Sequence, residues 1–199
     1  MIEQAGDAQT ILTKQRKAFR ADPFPDLAAR HDRLDRIGKL ARDHQDALCA
    51  AISQDFGNRS PHETIMLEIA PIMGALRHTR SHLKSWMKPQ ARGRSIEFLQ
   101  VANRVQHQPL GVVGIMAPWN YPLFLTLGPL IDVLAAGNRA MIKPSEFTPA
   151  TSELMAVMFS GAFSDEEIAV VTGGPEVGQA FAGLAFDHMI FTGATNIAR

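Results

Sequence analysis

The sequence predicts an α/β fold in which a parallel β-sheet follows a helical amino-terminal segment. Residues 1 to about 90 place apolar side chains at the spacing of helices, with charged residues between them. From residue 110 onward, short apolar runs alternate with segments of helical length. Strands separated by helices pair in parallel through right-handed crossovers, so the second region is expected to form a parallel sheet.

The first helix that the pattern predicts covers residues 34–52. Its apolar residues recur at helical spacing, and they are Leu34, Ile37, Ala41, Leu48 and Ile52. Cys49 lies on this helix, away from any strand-end loop, so a structural role is favoured over that of a catalytic nucleophile. It is the only cysteine, which excludes an internal disulfide and favours a reducing cytoplasm as the compartment.

A second long helix is expected to begin at Pro61, since proline suits the first helical position. Ser60 is a good N-cap residue, and Glu63 completes the pattern of a capping box. The apolar stripe of this helix is Ile65, Ile69, Ile72, Leu76, Leu83 and Met87. Pro71 is expected to kink the helix, and Lys88-Pro89 to end it.

Residues 95–108 change to the period of a β-strand. Ile96 and Phe98 alternate with polar residues, Val105 does the same, and Ala102-Asn103 suits a turn. The pattern predicts a two-stranded arm, which is marginal by itself and needs a partner sheet.

Strands and helices then alternate to the end of the chain. The expected strands are Val112–Met116, Ala140–Ile142, Ile168–Val171 and Met189–Phe191, and the expected helices are 122–136, 149–162 and 175–184. Pro149 and Pro175 mark two of the helix starts. Ligands of such sheets bind at the carboxyl ends of the strands, so the loops that follow the strands are the candidate site.

Composition excludes several classes of partner. Lys+Arg and Asp+Glu are each 20, so the net charge is zero and neither nucleic acid nor an anionic membrane is expected as a partner. No apolar run reaches the length of a membrane span. His78 and His82 have the spacing of a metal pair, but no Cys, Asp or Glu completes a site, so no metal is expected.

Four strand-end loops carry unusual residues. They read Ala117-Pro118-Trp119-Asn120-Tyr121-Pro122, Lys143-Pro144-Ser145-Glu146, Thr172-Gly173-Gly174-Pro175 and Phe191-Thr192-Gly193-Ala194-Thr195. In this order, each after an expected strand, they resemble the cofactor domain of the aldehyde dehydrogenase superfamily. The branch that they resemble most is that of the coniferyl-aldehyde dehydrogenases and their aromatic and long-chain relatives.

The resemblance implies a truncated aldehyde dehydrogenase fold. Residues 1–108 would form amino-terminal helices and a β-hairpin oligomerisation arm, and residues 109–199 an incomplete, Rossmann-like NAD-binding domain. A G-x-G-x-x-G phosphate loop does not occur, since Gly173-Gly174 followed by Gly178 lacks that spacing. The resemblance explains the difference, because this family binds NAD without that fingerprint.

For Asn120 the resemblance implies a catalytic role. Its side-chain amide would donate to the oxyanion of the thiohemiacetal, a task that suits a neutral donor. The alternative from the residues alone is that Asn120 caps the helix 122–136, because asparagine is a good cap.

The other implied site residues bind cofactor. They are Ala117, Pro118, Trp119, Lys143, Glu146, Gly174, Gly193 and Ala194. Lys143 and Glu146 would hold the adenosine ribose, and a carboxylate there favours NAD while leaving NADP possible. Gly174 would leave room for the adenine, and the helix start after Gly193 would face the pyrophosphate. Ala194 replaces the serine usual in the family, so a hydroxyl contact to phosphate is missing.

The family's catalytic cysteine and its Glu-Leu-Gly-Gly-Lys motif do not occur in this sequence. The intact protein is therefore expected to oxidise an aromatic or long-chain aldehyde to the acid as a homodimer or homotetramer, with these 199 residues inactive alone. The chain ends at Arg199 inside an expected helix, which favours truncation. Two alternatives stay open, namely a non-catalytic NAD-binding fragment and an acyl-phosphate or acyl-CoA reductase of the same superfamily.

Overall fold

The computed structural model describes residues 2–93, 101–195 and 197–198. Its helices are α1 (Ile2–Ala21), α2 (Leu27–Asp43), α3 (Gln45–Asp55), α4 (Pro61–Thr64), α5 (Ala70–Trp86), α6 (Phe124–Ala135), α7 (Pro149–Ala162) and α8 (Pro175–Ala182). Its strands are β1 (Gln90–Ala91), β2 (Arg104–Val105), β3 (Val112–Met116), β4 (Arg139–Lys143), β5 (Ile168–Val170) and β6 (His188–Phe191). A π-helical turn, Ile65–Ile69, joins α4 to α5.

The main sheet has four strands in the order β5-β4-β3-β6, and its recorded pairings are all parallel. The four strands and the three helices between them confirm the predicted α/β alternation. Gly114 in β3 pairs with Met141 in β4 and with Met189 in β6, so the carboxyl ends of these strands lie level. The loops that follow them therefore emerge side by side at one edge.

Helices cover both faces of this sheet, which explains why the inner positions of its central strands, Val112–Ile115 and Ala140–Ile142, are apolar on both faces. Val113 and Ile115 of β3 belong to a core shared with α2, α5 and α6. Val112 of the same strand faces a second core, which includes Leu12 of α1 and Phe181 of α8. None of the described helices combines the length and apolar character that crossing a bilayer requires.

The prediction of one helix over residues 34–52 is wrong, because the chain breaks at His44 into α2 and α3. His44 has φ −108° and ψ 15°, and its ring Nδ1 lies 3.1 Å from the carbonyl oxygen of Leu40. The apolar stripe survives the break: Ala41 and Leu48 are both buried, although the break lies between them. The sequence pattern therefore contains no sign of the interruption.

The capping box predicted at Ser60 is also wrong, although Ser60 and Pro61 do occupy the cap and first helical positions. The Ser60 hydroxyl makes no capping hydrogen bond. Glu63 instead reaches back to Arg59, with Oε1 3.3 Å from Nε, where the guanidinium is a charged donor and a backbone amide is a neutral one. The irregularity expected near Pro71 takes the form of the π-helical turn just before it, where proline's missing N–H disfavours regular α-helical bonding.

Strand β2, within the predicted arm, pairs in antiparallel fashion with β1, which precedes the residues predicted for the arm; Gln90 lies opposite Val105. The turn predicted at Ala102-Asn103 is wrong, because the Asn103 carbonyl accepts a hydrogen bond from the Arg92 amide (3.0 Å) and thus continues this pairing. The predicted strand containing Ile96 and Phe98 lies outside the described residues.

Helix α7 takes its N-terminal cap from a distant helix. Thr148, at the cap position, makes no side-chain capping bond. The Asp55 carboxylate, at the end of α3, accepts hydrogen bonds from the amides of Ala150 (2.9 Å) and Thr151 (2.8 Å) and from the Thr151 hydroxyl (2.6 Å). The start of α7, and with it the loop after β4, is thereby tied to the amino-terminal helices.

Replacing Asp55 with alanine is expected to destabilise the fold by about 2–3 kcal/mol, since two amides at a helix start lose a charged acceptor. Urea unfolding followed by circular dichroism measures the change. Asp43→Ala, which removes an exposed ion pair with Lys39, is the matched control and should leave the midpoint unchanged. Equal destabilisation by both substitutions would contradict the assignment of Asp55 as the cap of α7.

Candidate functional site

A cleft of about 610 Å³ opens at the carboxyl ends of β3, β4 and β6. Among the residues predicted to bind cofactor, those that line it are Ala117, Pro118, Trp119, Lys143, Glu146, Gly193 and Ala194. Gly174 is not among the lining residues, but Pro175, the next residue, is. Asn120 directly follows the lining residue Trp119 and is exposed. The structure therefore brings most of the predicted site to one concave surface.

Backbone hydrogen bonds fix where the loops leave the sheet. The Ala117 amide donates to the Lys143 carbonyl (3.1 Å), and the Thr192 amide donates to the Met116 carbonyl (3.1 Å). Both bonds extend the parallel ladder by one step beyond the strands. The loops after β3, β4 and β6 consequently leave the sheet at the same level and together form the wall of the cleft.

Lys143 and Glu146 form a pair in the cleft wall. The Lys143 side chain is only 2% exposed, and its Nζ donates to the Pro144 carbonyl (2.8 Å) and to Glu146 Oε2 (3.3 Å). The Glu146 side chain is 31% exposed, so its carboxylate also faces solvent. A buried ammonium beside a partly open carboxylate presents donors and acceptors together, which suits a ligand with neighbouring hydroxyl groups.

The loop before α8 depends on glycine. Gly173 has φ +144°, where residues with a side chain are strained, and a Cβ there would lie 2.6 Å from Val177 Cγ2. Gly174 forms the N-cap of α8 with an ordinary extended backbone. Gly178, on α8, lines the cleft between Met116 and Lys143, and sequence reasoning had not assigned it to the site. A Cβ at Gly178 would lie 3.7 Å from Met116 Cε and 4.0 Å from Lys143 Cε, so a larger side chain there would extend into the space beside these two residues.

After β6 the chain turns around Ala194. The Ala194 carbonyl accepts hydrogen bonds from the amides of Ile197 (3.0 Å) and Ala198 (3.3 Å), the bonds of a first helical turn. The helix expected beyond Gly193 is described only to that extent, and its continuation stays a prediction.

Asn120 does not cap α6. The helix begins at Phe124, and Leu123 at its cap position makes no side-chain capping bond. Instead, Oε2 of Glu68 accepts hydrogen bonds from the amides of Leu123 (2.8 Å) and Phe124 (3.1 Å). The capping alternative for Asn120 is therefore wrong, because another residue has taken that role.

Glu68 was missed by the sequence analysis, although it carried a signal. It falls on the apolar stripe, between Ile65 and Ile72 at helical spacing, where a charge is unusual. The structure buries it completely and pairs Oε1 with Nη1 of Arg59 at 3.1 Å. Burial raises the pKa of the Glu68 carboxyl above its ordinary value, against the opposing effect of the Phe124 and Leu123 amides and of Arg59.

Cys49 and the histidine pair are not part of the cleft lining. Cys49 is buried, and its pKa is raised by burial and by the nearby Asp46 and Glu68 carboxylates, which disfavours the thiolate that a nucleophile needs. The rings of His78 and His82 stack at 4.2 Å on the exposed face of α5. Among the described residues, no group of three or more potential metal-ligating side chains occurs.

Comparison with known proteins identifies the family. A sequence profile described as the aldehyde dehydrogenase family matches residues 2–199. The chain belongs to the aldehyde dehydrogenase family. Its resemblance to that family, first noted in the four strand-end loops, thus extends over nearly the whole chain.

The similar relatives include coniferyl aldehyde dehydrogenases. A probable coniferyl aldehyde dehydrogenase of Caulobacter vibrioides is 50% identical over 192 residues, which cover 95% of this chain and 40% of the relative. A coniferyl aldehyde dehydrogenase of Pseudomonas sp. is 42% identical over 197 residues, covering 99% of this chain and 40% of the relative. The chain thus spans about 40% of the length of these relatives.

Solved structures share the fold. The substrate-bound state of Staphylococcus aureus AldH superposes with a TM-score of 0.91 at 29% identity, covering 100% of this chain and 42% of that one. An indole-3-acetaldehyde dehydrogenase of P. syringae, in complex with NAD⁺ and IAA, gives a TM-score of 0.84 at 25% identity, covering 98% of this chain and 39% of that one. The aldehyde dehydrogenase fold predicted from the sequence is confirmed for the part that this chain spans.

The buried Glu68 and the partly buried Glu167 should give opposite pH dependences of stability. Because its pKa is raised, Glu68 binds a proton more tightly in the folded state than in the unfolded state. The stability of wild type relative to Glu68→Gln should therefore fall as the pH rises from the ordinary glutamate pKa through the raised pKa of Glu68. Burial of Glu167 is outweighed by its bonds to Arg36 and Arg33, so its pKa is lowered. The difference between wild type and Glu167→Gln should therefore shrink as pH falls through that lowered value.

Urea unfolding of the three chains from about pH 3 to about pH 8 measures both slopes, and the acid end of this range is needed because the pKa of Glu167 lies below the ordinary glutamate value. Slopes of the same sign in the two comparisons would contradict the charge environments described here.

Proposed function

We propose that this chain provides the cofactor-binding half and the oxyanion donor of an enzyme that oxidises an aldehyde to a carboxylic acid with NAD(P). One observation carries the proposal: the strand-end loops that resemble those of the family line a single cleft at the carboxyl edge of a parallel sheet. The family's nucleophilic cysteine and water-activating glutamate would lie outside these 199 residues, so the chain is expected to bind cofactor without turning over.

The volume and the lining residues of the cleft support a dinucleotide as the ligand. Its volume of about 610 Å³ is within the range of small-molecule sites. Lys143 and Glu146 would hold the hydroxyls of the adenosine ribose, the glycines before and within α8 would leave space for the adenine, and backbone groups at Gly193 and Ala194 would face the pyrophosphate. A carboxylate at Glu146 disfavours a 2′-phosphate, so we propose NAD rather than NADP as the preferred cofactor. When bound, the nicotinamide would accept the hydride.

Asn120 is proposed as the donor to the developing oxyanion. Its position supports this role, because it is exposed beside the cleft-lining Trp119 and is not engaged as the cap of α6. Removing one such donor typically costs about 3 kcal/mol of transition-state stabilisation.

The names of the relatives support a proposal for the substrate class. Two of the similar proteins are named coniferyl aldehyde dehydrogenases, so we propose an aromatic aldehyde of that kind as the substrate. We further propose that the intact protein is a homodimer or homotetramer, with the arm at residues 95–108 in the subunit interface. The boundary between the amino-terminal region and the cofactor-binding domain is proposed to lie between residues 108 and 109.

Isothermal calorimetry with NAD on this chain tests the cofactor site. Lys143→Met and Glu146→Gln are each expected to weaken binding about tenfold, because each removes a charged hydrogen-bonding partner of the ribose. Glu146→Gln should also narrow the preference for NAD over NADP.

Glu153→Gln, an exposed substitution on α7 outside the cleft lining, is the control and should bind as wild type does. If wild type releases no heat at roughly millimolar NAD, its binding free energy is weaker than about −4 kcal/mol. That result would reject the proposed cofactor site. Unchanged affinity in both cleft variants would reject the assigned residues.

A further inference from the structure

One buried ion pair contacts both ends of the segment that carries Asn120. At its start, Nη2 of Arg59 donates to the Asn120 carbonyl oxygen at 3.1 Å. At its end, Oε2 of Glu68 accepts from the amides of Leu123 and Phe124. Arg59 and Glu68 are themselves joined by the bond between Nη1 and Oε1. The five residues from Asn120 to Phe124 are thus bridged by a single pair of charges from another part of the chain.

The guanidinium of Arg59 is further fixed by aromatic rings and by a second carboxylate. It lies 4.1 Å from the centre of the Phe56 ring and 5.1 Å from that of Tyr121, distances typical of cation–π contacts. Its Nε pairs with Glu63. The Arg59 side chain is only 9% exposed, and neither Arg59 nor Glu68 lines the cleft. The pair therefore does not line the ligand site, and its hydrogen bonds to Asn120, Leu123 and Phe124 connect it to the edge of the cleft.

Glu68 belongs to a π-helical turn, Ile65–Ile69. Such turns are rare and often occur at functional sites, since they redirect one side chain within a helix. Glu68 lies in the turn, and both of its carboxylate oxygens are used, one by Arg59 and one by the start of α6. A buried ion pair is weak evidence for added stability, because desolvation offsets much of the attraction. Stronger evidence for a positioning role comes from where the hydrogen bonds of the pair go: Arg59 and Glu68 both bond the backbone of the segment 120–124.

We propose that Arg59 and Glu68 are positioning residues, which clamp the segment 120–124 so that the Asn120 amide is held at the edge of the cleft. The inference rests on the proposed function of Asn120 as oxyanion donor. Oxyanion donors contribute only when they are held in place before the reaction, so a clamp remote from the ligand is a requirement of that chemistry.

The clamp can be tested on this chain with two probes of the segment. Tyr121 is the only tyrosine, so ¹³C-labelled tyrosine reports its ring alone. Amide hydrogen exchange reports whether Leu123 and Phe124 keep their acceptor. Glu68→Gln should speed exchange at these two amides by roughly 10–100-fold relative to Val113 and Ile115 in β3, because the charged acceptor is lost. Arg59→Met should shift and broaden the Tyr121 ring signals.

Arg59→Lys is the conservative variant. Lysine keeps a charge beside Glu68 but lacks the planar fork that reaches Asn120, Glu63 and Glu68 together. It should therefore retain slow exchange at Leu123 and Phe124 while its Tyr121 signals move toward those of Arg59→Met. This variant also preserves a test of the clamp if Glu68→Gln fails to fold.

Glu167→Gln is the matched control, since it breaks a partly buried arginine pair of similar geometry that does not touch the segment. It should leave the Tyr121 signals superimposable on wild type and speed exchange without selectivity for residues 123 and 124. The clamp is refuted if Arg59→Met and Arg59→Lys leave Tyr121 unchanged, or if Glu167→Gln alters the same probes equally. These outcomes do not depend on cofactor, so they are separable from failure of the NAD titration, which would overturn the proposed function alone.

Discussion

The parallel pairing of β3 with both β4 and β6 is the constraint on which the rest of the structure depends. Because all three strands run the same way and in level register, their carboxyl ends meet at one edge and their loops share one surface. Parallel strands must be connected through helices, and those helices cover both faces of the sheet. The same geometry therefore produces the apolar core and leaves the polar loops together at the edge. The cleft is a consequence of the strand direction.

The elements that depend on local pattern could be predicted from the sequence. Apolar runs that are bounded by proline and glycine gave β3 to β6 and α6 to α8 within a residue or two, because burial on both faces demands an uninterrupted apolar strand. The loop residues around Lys143 and Trp119 could be assigned to one site because strand ends of a parallel sheet meet. Their roles toward a cofactor came from resemblance and not from pattern.

Features that depend on distant contacts could not be predicted. The break at His44 leaves the apolar spacing intact, so periodicity contains no trace of it. Asn120 looked like a helix cap because it precedes α6, yet the acceptor for α6 is Glu68, which lies far back in the chain. In the same way, α7 is capped by Asp55 and not by Thr148 beside it. Helix starts need acceptors, but sequence alone does not tell which carboxylate will be folded against them.

Because helices α6 and α7 are capped by carboxylates from distant parts of the chain, the amino-terminal helices are joined to the site. Asp55 ties α3 to the helix that follows the Lys143 loop, and Glu68 ties the π-helical turn to the segment that carries Asn120. Both carboxylates bond backbone amides, which are fixed in direction, and so they orient the loops as well as stabilise them. The amino-terminal helices thus help to orient the loops of a cleft whose lining residues all come from Met116 onward.

The central claim, that a dinucleotide binds in this cleft, is tested most directly by methyl NMR of the methionine-labelled chain during titration with NAD. Met116 and Met189 line the cleft, whereas Met73, Met155 and Met158 lie in the core shared by α5, α6 and α7. Dinucleotide binding in the cleft predicts saturable shifts of the Met116 and Met189 methyl signals, with the signals of the core methionines unmoved. Binding that shifts only methionines outside the cleft, or no shift at any of them, would contradict it.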